Sequence, residues 1–439
     1  MAWISKPDTG ESGPGPSRPR DSRFGMALRA LHHRNYRLFF IGQLVSLIGT
    51  WMQMVAQSWL VYRLTGSSLL LGTVGFASQI PVFLLAFLGG AVADRFNRHK
   101  VVIATQAAAM VLAFALSVLT LTGAVRIWHI ILLSALLGIV NAFDMPARQA
   151  FIVMLVDKAD LMNAIALNSS IFNGARVVGP SIAGILIAGI GEGWCFFANG
   201  VSYIGVIACL LLMRVARRSE DAGRASGLRH LLDGFQYVRH TRPIRALLLL
   251  IALVSMVGMP YSVLMPIFAD LILGGGPRGL GILMGATGVG ALAGAMSLAV
   301  RPGTRGLGRL VGYAGAGFGA GLILFSISRS FWLSALFLFP VGYSLILTMG
   351  ATNTLIQTMV PDHLRGRVMA LHVMMFMGMA PFGSLFAGAL AEKMGAPMTV
   401  AAGAVLCAMG SALFLYRLPS LQFIIPGSVP NQADEPEGM

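Results

Sequence analysis

Charged residues are scarce in this chain. They make up 11% of its 439 residues, against about 25% in soluble globular proteins. With 56% hydrophobic residues and a mean hydropathy of +0.76, water is excluded as its main solvent. Acids are the scarcer sign, 17 against 32 Lys and Arg, for a net charge of +15. The basic residues sit in short breaks between apolar runs, where they set membrane topology, so nucleic acid is excluded as a partner. Cysteine is nearly absent: Cys195, Cys209 and Cys407 stand in no metal-ligand or CxxC spacing and read as apolar packing residues. The sequence contains no HExxH, GxSxG or GxxxxGK[ST] and no paired carboxylates within the apolar runs. These absences argue against a membrane-embedded enzyme and against ATP as a drive within this chain. No metal and no cofactor is expected.

What is present is a series of apolar runs of about 20 residues, the length that crosses a bilayer as a helix. They lie near 38–62, 69–93, 101–123, 127–147, 164–190, 194–213, 246–268, 279–300, 309–328, 331–353, 368–391 and 397–416. The even-numbered loops hold eighteen Lys and Arg and the odd-numbered loops five. The positive-inside rule therefore places the even loops and both termini in the cytoplasm, an alternation that twelve spans close. Residues 1–37, rich in Pro, Gly, Ser and Arg, are expected as a disordered tail, and 418–439 as a second. Residues 214–245 form the longest loop. Apolar residues at 228, 231, 232, 235 and 238 are spaced for an amphipathic helix resting on an anionic leaflet. This loop divides 38–213 from 246–417, two bundles of six spans. An offset of 204 residues pairs Gly179 with Gly383, Gly184 with Gly388, Gly191 with Gly395 and Gly90 with Gly294. The expected fold is therefore an all-α membrane protein of twelve transmembrane helices in two pseudo-symmetric halves.

The loop after the second run reads GGAVADRFNRHK, with Gly90, Asp94, Arg95 and Arg98. It resembles the loop signature of the major facilitator superfamily. Asn97 stands where that family has glycine, a tolerable departure because Asn accepts positive φ. The matching loop of the second half, RPGTRGLGR, keeps arginines but no acid. The fifth run reads NGARVVGPSIAG, and its Gly174, Gly179, Pro180 and Gly184 resemble the span-five signature of drug/proton antiporters. Glycines at such spacing admit close helix contact, and proline bends the helix. The segments HRNYRLFFIGQLVSLIGTWMQ, NAFDMPARQAFIVMLV and ALNSSIFNGARVVGP are similar to the enterobactin-exporter-like branch of the superfamily, and the similarity spans about 30–417. The resemblance implies two halves rocking about a central site lined by spans 1, 4, 7 and 10. It also brings Asp144 beside the Asp94 loop, where Arg98 would bridge Asp94 and Asp144 when the cytoplasmic side is closed.

Ionisable side chains within spans are functional candidates by default. Arg176, deep in span 5, is a candidate contact for an anionic substrate group. Span 1 offers Gln43, Gln53 and Gln57 but no carboxylate, so it supplies no proton carrier. His372 titrates near neutrality and is a candidate for coupling, or else a histidine satisfied by hydrogen bonds. Trp51, Trp59, Met256, Met259, Tyr261 and Tyr343 are candidates for an adaptable apolar pocket. The expected function is secondary-active, proton-coupled export of a small amphipathic molecule (drug, siderophore or metabolite) by a monomer in the bacterial inner membrane. The alternative is an importer of a small nutrient or lipid-like solute with the same fold.

Overall fold

The structure, a computed structural model, describes residues 29–214, 228–301 and 303–421. Among these, twelve helices are long and apolar enough to cross a membrane. Spans 1 to 6 are Arg34–Thr65, Ser68–Arg95, Arg98–Leu121, Ile127–Met154, Leu161–Ile190 and Glu192–Leu211. Spans 7 to 12 are Arg242–Ile272, Gly276–Ala299, Leu307–Ile327, Phe331–Met359, Asp362–Met394 and Ala396–Arg417. Several run past the apolar cores that mark them in the sequence. Span 4 continues through Pro146 to Met154, because its last turns pack inside the bundle: Ala147 and Phe151 are fully buried.

This extension corrects two expectations. Arg148 belongs to a helix rather than to a loop. The first span begins at Arg34, preceded by a short 3-10 turn over Arg29–His32, so 29–37 is not a disordered tail. Tyr36 is fully buried there and its hydroxyl donates to the Ala164 carbonyl at 2.7 Å, while Arg29 and His33 both meet Asp160. Basic residues hide this anchor in the sequence, because their acidic partner lies 127 residues away. Residues 418–421 likewise form a 3-10 turn. The rest of the two expected tails, and 215–227 of the linker, lie outside the described residues.

The linker helix, Leu228–His240, packs against the start of span 11, where Gly234 lies on Arg367. Each half is built on close pairs, spans 2 with 4 and 3 with 6 in the first, spans 8 with 10 and 9 with 12 in the second. The pseudo-symmetry is visible in equivalent contacts. Gly179 of span 5 lies on Ile48 and Trp51 of span 1, as Gly383 of span 11 lies on Met256 of span 7. Gly191 and Gly395, which open spans 6 and 12, both have left-handed backbone (φ 90° and 83°) that a side chain would strain. The Gly90/Gly294 pairing does not hold: Gly294 touches the Tyr343 carbonyl, whereas Gly90 faces open space. Spans 2 and 8 are related instead through Gly72, which meets Gly388, and Gly281, which meets Gly184, an offset of 209 residues.

The halves join through spans 2 and 11 and through spans 5 and 8, and both seams are tightest away from the linker. Along span 2 the seam runs from Gly72 to Phe83, which touches Gly378; beyond it Leu84, Phe87 and Leu88 are exposed. The molecule is thus closed at the end away from the linker and parted at the linker end.

Candidate functional site

Two spans lose regular helix where the halves meet. Span 7 passes through a π-helical stretch at Val254–Gly258, a 3-10 turn at Met259–Ser262 and a second π stretch at Phe268–Ile272. Pro260 and Pro266 withhold backbone N–H groups there. Span 11 breaks at Gly378, just before Pro381. Against these breaks lies a cavity of about 410 Å³. Spans 1, 2, 4 and 6 supply most of its wall, and Ser262, Val263 and Met377 close it from the second half. Its polar groups are neutral, chiefly Gln53, Gln57, Ser78, Gln79, Asn141, Asn199 and Tyr203; Met54, Met145, Leu71 and Val74 are among the apolar ones. Among the described residues, neither carboxylate nor guanidinium lines it. The amides are held in place: Gln53 Oε1 accepts from Asn199 Nδ2 at 2.6 Å, and Gln57 Nε2 donates to Ser134 Oγ at 2.8 Å. Such a wall hydrogen-bonds a polar edge and packs an apolar body without imposing a net charge.

A buried charge network lies nearer the linker end. Asp144 is 3% exposed. Its carboxylate accepts from Thr105 Oγ1 at 2.7 Å and Gln106 Nε2 at 3.0 Å, and pairs with Arg148 at 3.3 Å, one helical turn on. Arg148 in turn donates to Gln43 Oε1 at 2.9 Å. Spans 1, 3 and 4 are thereby tied together. Asp144 is thus engaged by Arg148 and not by Arg95 or Arg98, because a residue four positions along its own helix is always within reach. Arg98 donates from Nε to the Ala93 carbonyl at 3.2 Å. Asp94 and Arg95 are exposed, and Asp94 joins no ion pair among the described residues. Asn97 has φ −61°, not a positive value: it caps span 3 by accepting from Lys100 N at 3.2 Å.

At the opposite end two polar ties cross between the halves. Glu392, at the end of span 11, accepts from Ser68 Oγ at 2.8 Å, from Ser67 Oγ at 3.1 Å and from Leu69 N at 3.1 Å. A carboxylate of one half thus caps the exposed N-terminus of a helix of the other, where unpaired N–H groups attract negative charge. Tyr62 of span 1 donates to Asp270 of span 7 at 3.0 Å. Within the first half, Arg63 makes a two-point contact with Glu192.

The remaining candidates divide between these settings. Gly179 is buried against span 1, and Pro180 and Gly184 against span 8, while a side chain on Gly174 would meet nothing within 4 Å. Arg176 stands 5.7 Å from the centre of the Trp51 ring and has no acidic partner among the described residues. Gln43 belongs to the Asp144 network, not to the cavity. Tyr261 is a core residue against Phe318 rather than a cavity residue, and Tyr343 is half-buried with its carbonyl in the span 8 seam. Trp51, Trp59, Met256 and Met259 are absent from the cavity wall; Met54, Met145 and Met377 stand there instead. His372 is buried, and its Nε2 has no hydrogen-bond partner among the described residues. The spacing of Asp144 and Arg148 signals their pairing in the sequence. The partnership of Ser67 and Ser68 with Glu392, more than 320 residues apart, carries no such signal.

The family model for transmembrane secretion effectors matches residues 26–431. Among curated proteins, the chain is 28% identical to the staphyloferrin A transporter of Staphylococcus aureus, over 82% of this chain and 90% of that protein. It is 27% identical to the multidrug efflux pump Tap of Mycolicibacterium fortuitum, over 88% and 96%. It is 24% identical to macrolide efflux protein A of Streptococcus pyogenes, over 83% and 92%. Among solved structures, the nucleoside transporter NupG superposes with a TM-score of 0.72 at 12% identity, over 88% of this chain and 99% of that one.

Proposed function

Because the chain belongs to the transmembrane secretion effector family of the major facilitator superfamily, we propose that it exports a small amphipathic molecule across the bacterial inner membrane, driven by protons. The observation that carries this reading is the cavity itself, placed where the broken stretches of spans 7 and 11 face spans 1, 2 and 4 and lined by amides, hydroxyls and apolar side chains. Its chemistry suits a drug, siderophore or metabolite with an apolar body and several hydrogen-bonding groups. Arg176 over Trp51 is a second contact, for a substrate that also carries an anionic group. With the termini and linker in the cytoplasm, the parted end faces the cytoplasm. Substrate enters there, and the Glu392 and Tyr62 ties must break to release it outside.

The test is transport by purified protein in proteoliposomes with an imposed pH gradient, using a panel of fluorescent amphipathic compounds and siderophores. Antiport requires uptake into vesicles with an acidic lumen as protons leave. Uptake only under the opposite gradient would assign symport and the importer reading, and uptake blind to the gradient would sink proton coupling.

A further inference from the structure

The polar groups of the central cavity are unequally spent. Gln57 Nε2 donates to Ser134 Oγ at 2.8 Å, and Ser134 gives its only proton to the Ile130 carbonyl. Ser134 therefore can only accept from Gln57, which fixes that amide and leaves Gln57 Oε1 as an open acceptor. Four residues earlier on span 1, Gln53 Oε1 accepts from Asn199 Nδ2 at 2.6 Å, while Asn199 Oδ1 accepts from Ser202 Oγ at 3.1 Å. Gln53 Nε2 is then an open donor among the described residues. Span 1 thus offers a donor and an acceptor of fixed identity, about 6 Å apart at one helical turn. Gln79 of span 2 and Asn141 of span 4 line the same cavity and make no hydrogen bond among the described residues, so both amides can turn to suit a ligand. The hydroxyls of Thr50, Ser58, Ser78 and Ser262 instead turn back to carbonyls of their own spans.

We propose that the body held in this cavity is uncharged, with a hydrogen-bond acceptor facing Gln53 and a donor facing Gln57, and that Gln79 and Asn141 set specificity around that pair. This rests on the central cavity being the transport site, and adds the charge and the donor–acceptor order of its substrate. A cation would enter without a counter-charge: among the described residues no carboxylate lines the wall, and a charge stripped of water without a partner is costly. A purely apolar molecule would leave the amides unpaired, which rejects it more strongly than a poor fit of shape does. An anionic group, where a substrate has one, belongs at Arg176, outside the cavity wall. The class is a neutral amphipathic molecule carrying hydroxyl or amide donors beside carbonyl or ether acceptors.

Equilibrium dialysis against the purified full chain in detergent tests this. Chloramphenicol and the macrolactone erythronolide B serve as neutral probes, and tetraphenylphosphonium as a cation without hydrogen-bonding groups. At least one neutral probe should bind, and tetraphenylphosphonium should bind about tenfold more weakly or worse. Gln79→Met and Asn141→Leu should each weaken the neutral probe by about tenfold. Neither amide holds a protein group among the described residues, so that loss does not come from a broken tie. Gln57→Met should act alike, and Ser134→Ala, which frees the Gln57 amide without touching the wall, should weaken binding by a smaller factor. Gln357→Leu, which removes an amide outside the cavity, should change nothing. Failure of both neutral probes to bind, or tetraphenylphosphonium binding as tightly as they do, overturns the substrate class. Full affinity in both Gln79→Met and Asn141→Leu overturns the specificity pair, and full affinity in Gln57→Met overturns the donor–acceptor order. Binding needs no gradient and no direction, so these failures stand apart from the export reading, which proteoliposome transport decides.

Discussion

Asp144 and Arg148 show how a buried ion pair survives in a membrane helix. The carboxylate receives two neutral donors besides the guanidinium, and the guanidinium leans on Gln43. Removing one partner of a buried pair costs about 3–5 kcal/mol, and the partial exposure of Arg148 places this pair at the low end. Asp144→Asn and Arg148→Gln should each lower the unfolding temperature in detergent, and the double variant should recover part of the loss. Additive losses would show that the two charges do not depend on each other. Arg176 belongs to a different class, since its neighbour is an aromatic face rather than an acid. If it binds an anionic substrate group, Arg176→Lys should keep part of the transport and Arg176→Gln little, because lysine keeps the charge and loses the planar fork. Equal rates in both variants, at normal expression, would remove it from the binding site.

Helix contacts in this protein are set by glycine where backbones must touch. A side chain at Gly179 would strike Ile48 and Trp51 of span 1. Gly179→Leu should abolish transport while leaving membrane insertion intact, read as uptake against surface-normalised expression; wild-type rates would show that spans 1 and 5 tolerate separation. At the closed end, Glu392 acts as a cap delivered from the other half. Loss of an N-cap contact costs about 0.5–2 kcal/mol, so Glu392→Ala should raise the outward-open population severalfold. Spin-label distances between the ends of spans 2 and 11 would report it, and an unchanged distribution would make Glu392 incidental to closure. The opposite end offers Asp94, Arg95 and Arg98 for the reciprocal gate. With Asp144 engaged by Arg148, a bridge from Arg98 to Asp144 in the cytoplasm-closed state would require the carboxylate to exchange partners.

The whole molecule is two six-helix units that share one contact plan and meet along two seams. Its orientation rests on charge, with eighteen Lys and Arg in the even loops against five in the odd. Moving Arg148 from loop to helix leaves that bias intact. Cysteine labelling from either side should place residues 94–100 and 361–367 in the cytoplasm and sites near 65, 192 and 275 outside. Reversed labelling would turn the transporter over, and would make the parted end an outward opening.

The apolar run lengths and loop charges determined the number of spans and the expected orientation, because a bilayer imposes both on a chain residue by residue. Short-range spacing carried the small-residue faces of span 5 and, in Asp144 and Arg148, a pair that needs only one helical turn. Tertiary structure alone decided which candidates share a wall. Gln53 and Gln57 reach the cavity while Gln43, on the same helix, turns into the charge network, because neighbouring helices that sequence spacing does not fix occupy different faces of span 1. It also decided the register between the halves, where spans 2 and 8 run at 209 residues rather than 204. The ties of Glu392 and Asp270 were set by the same assembly. A contact between halves depends on how two rigid bundles meet, and no periodicity within either one encodes that.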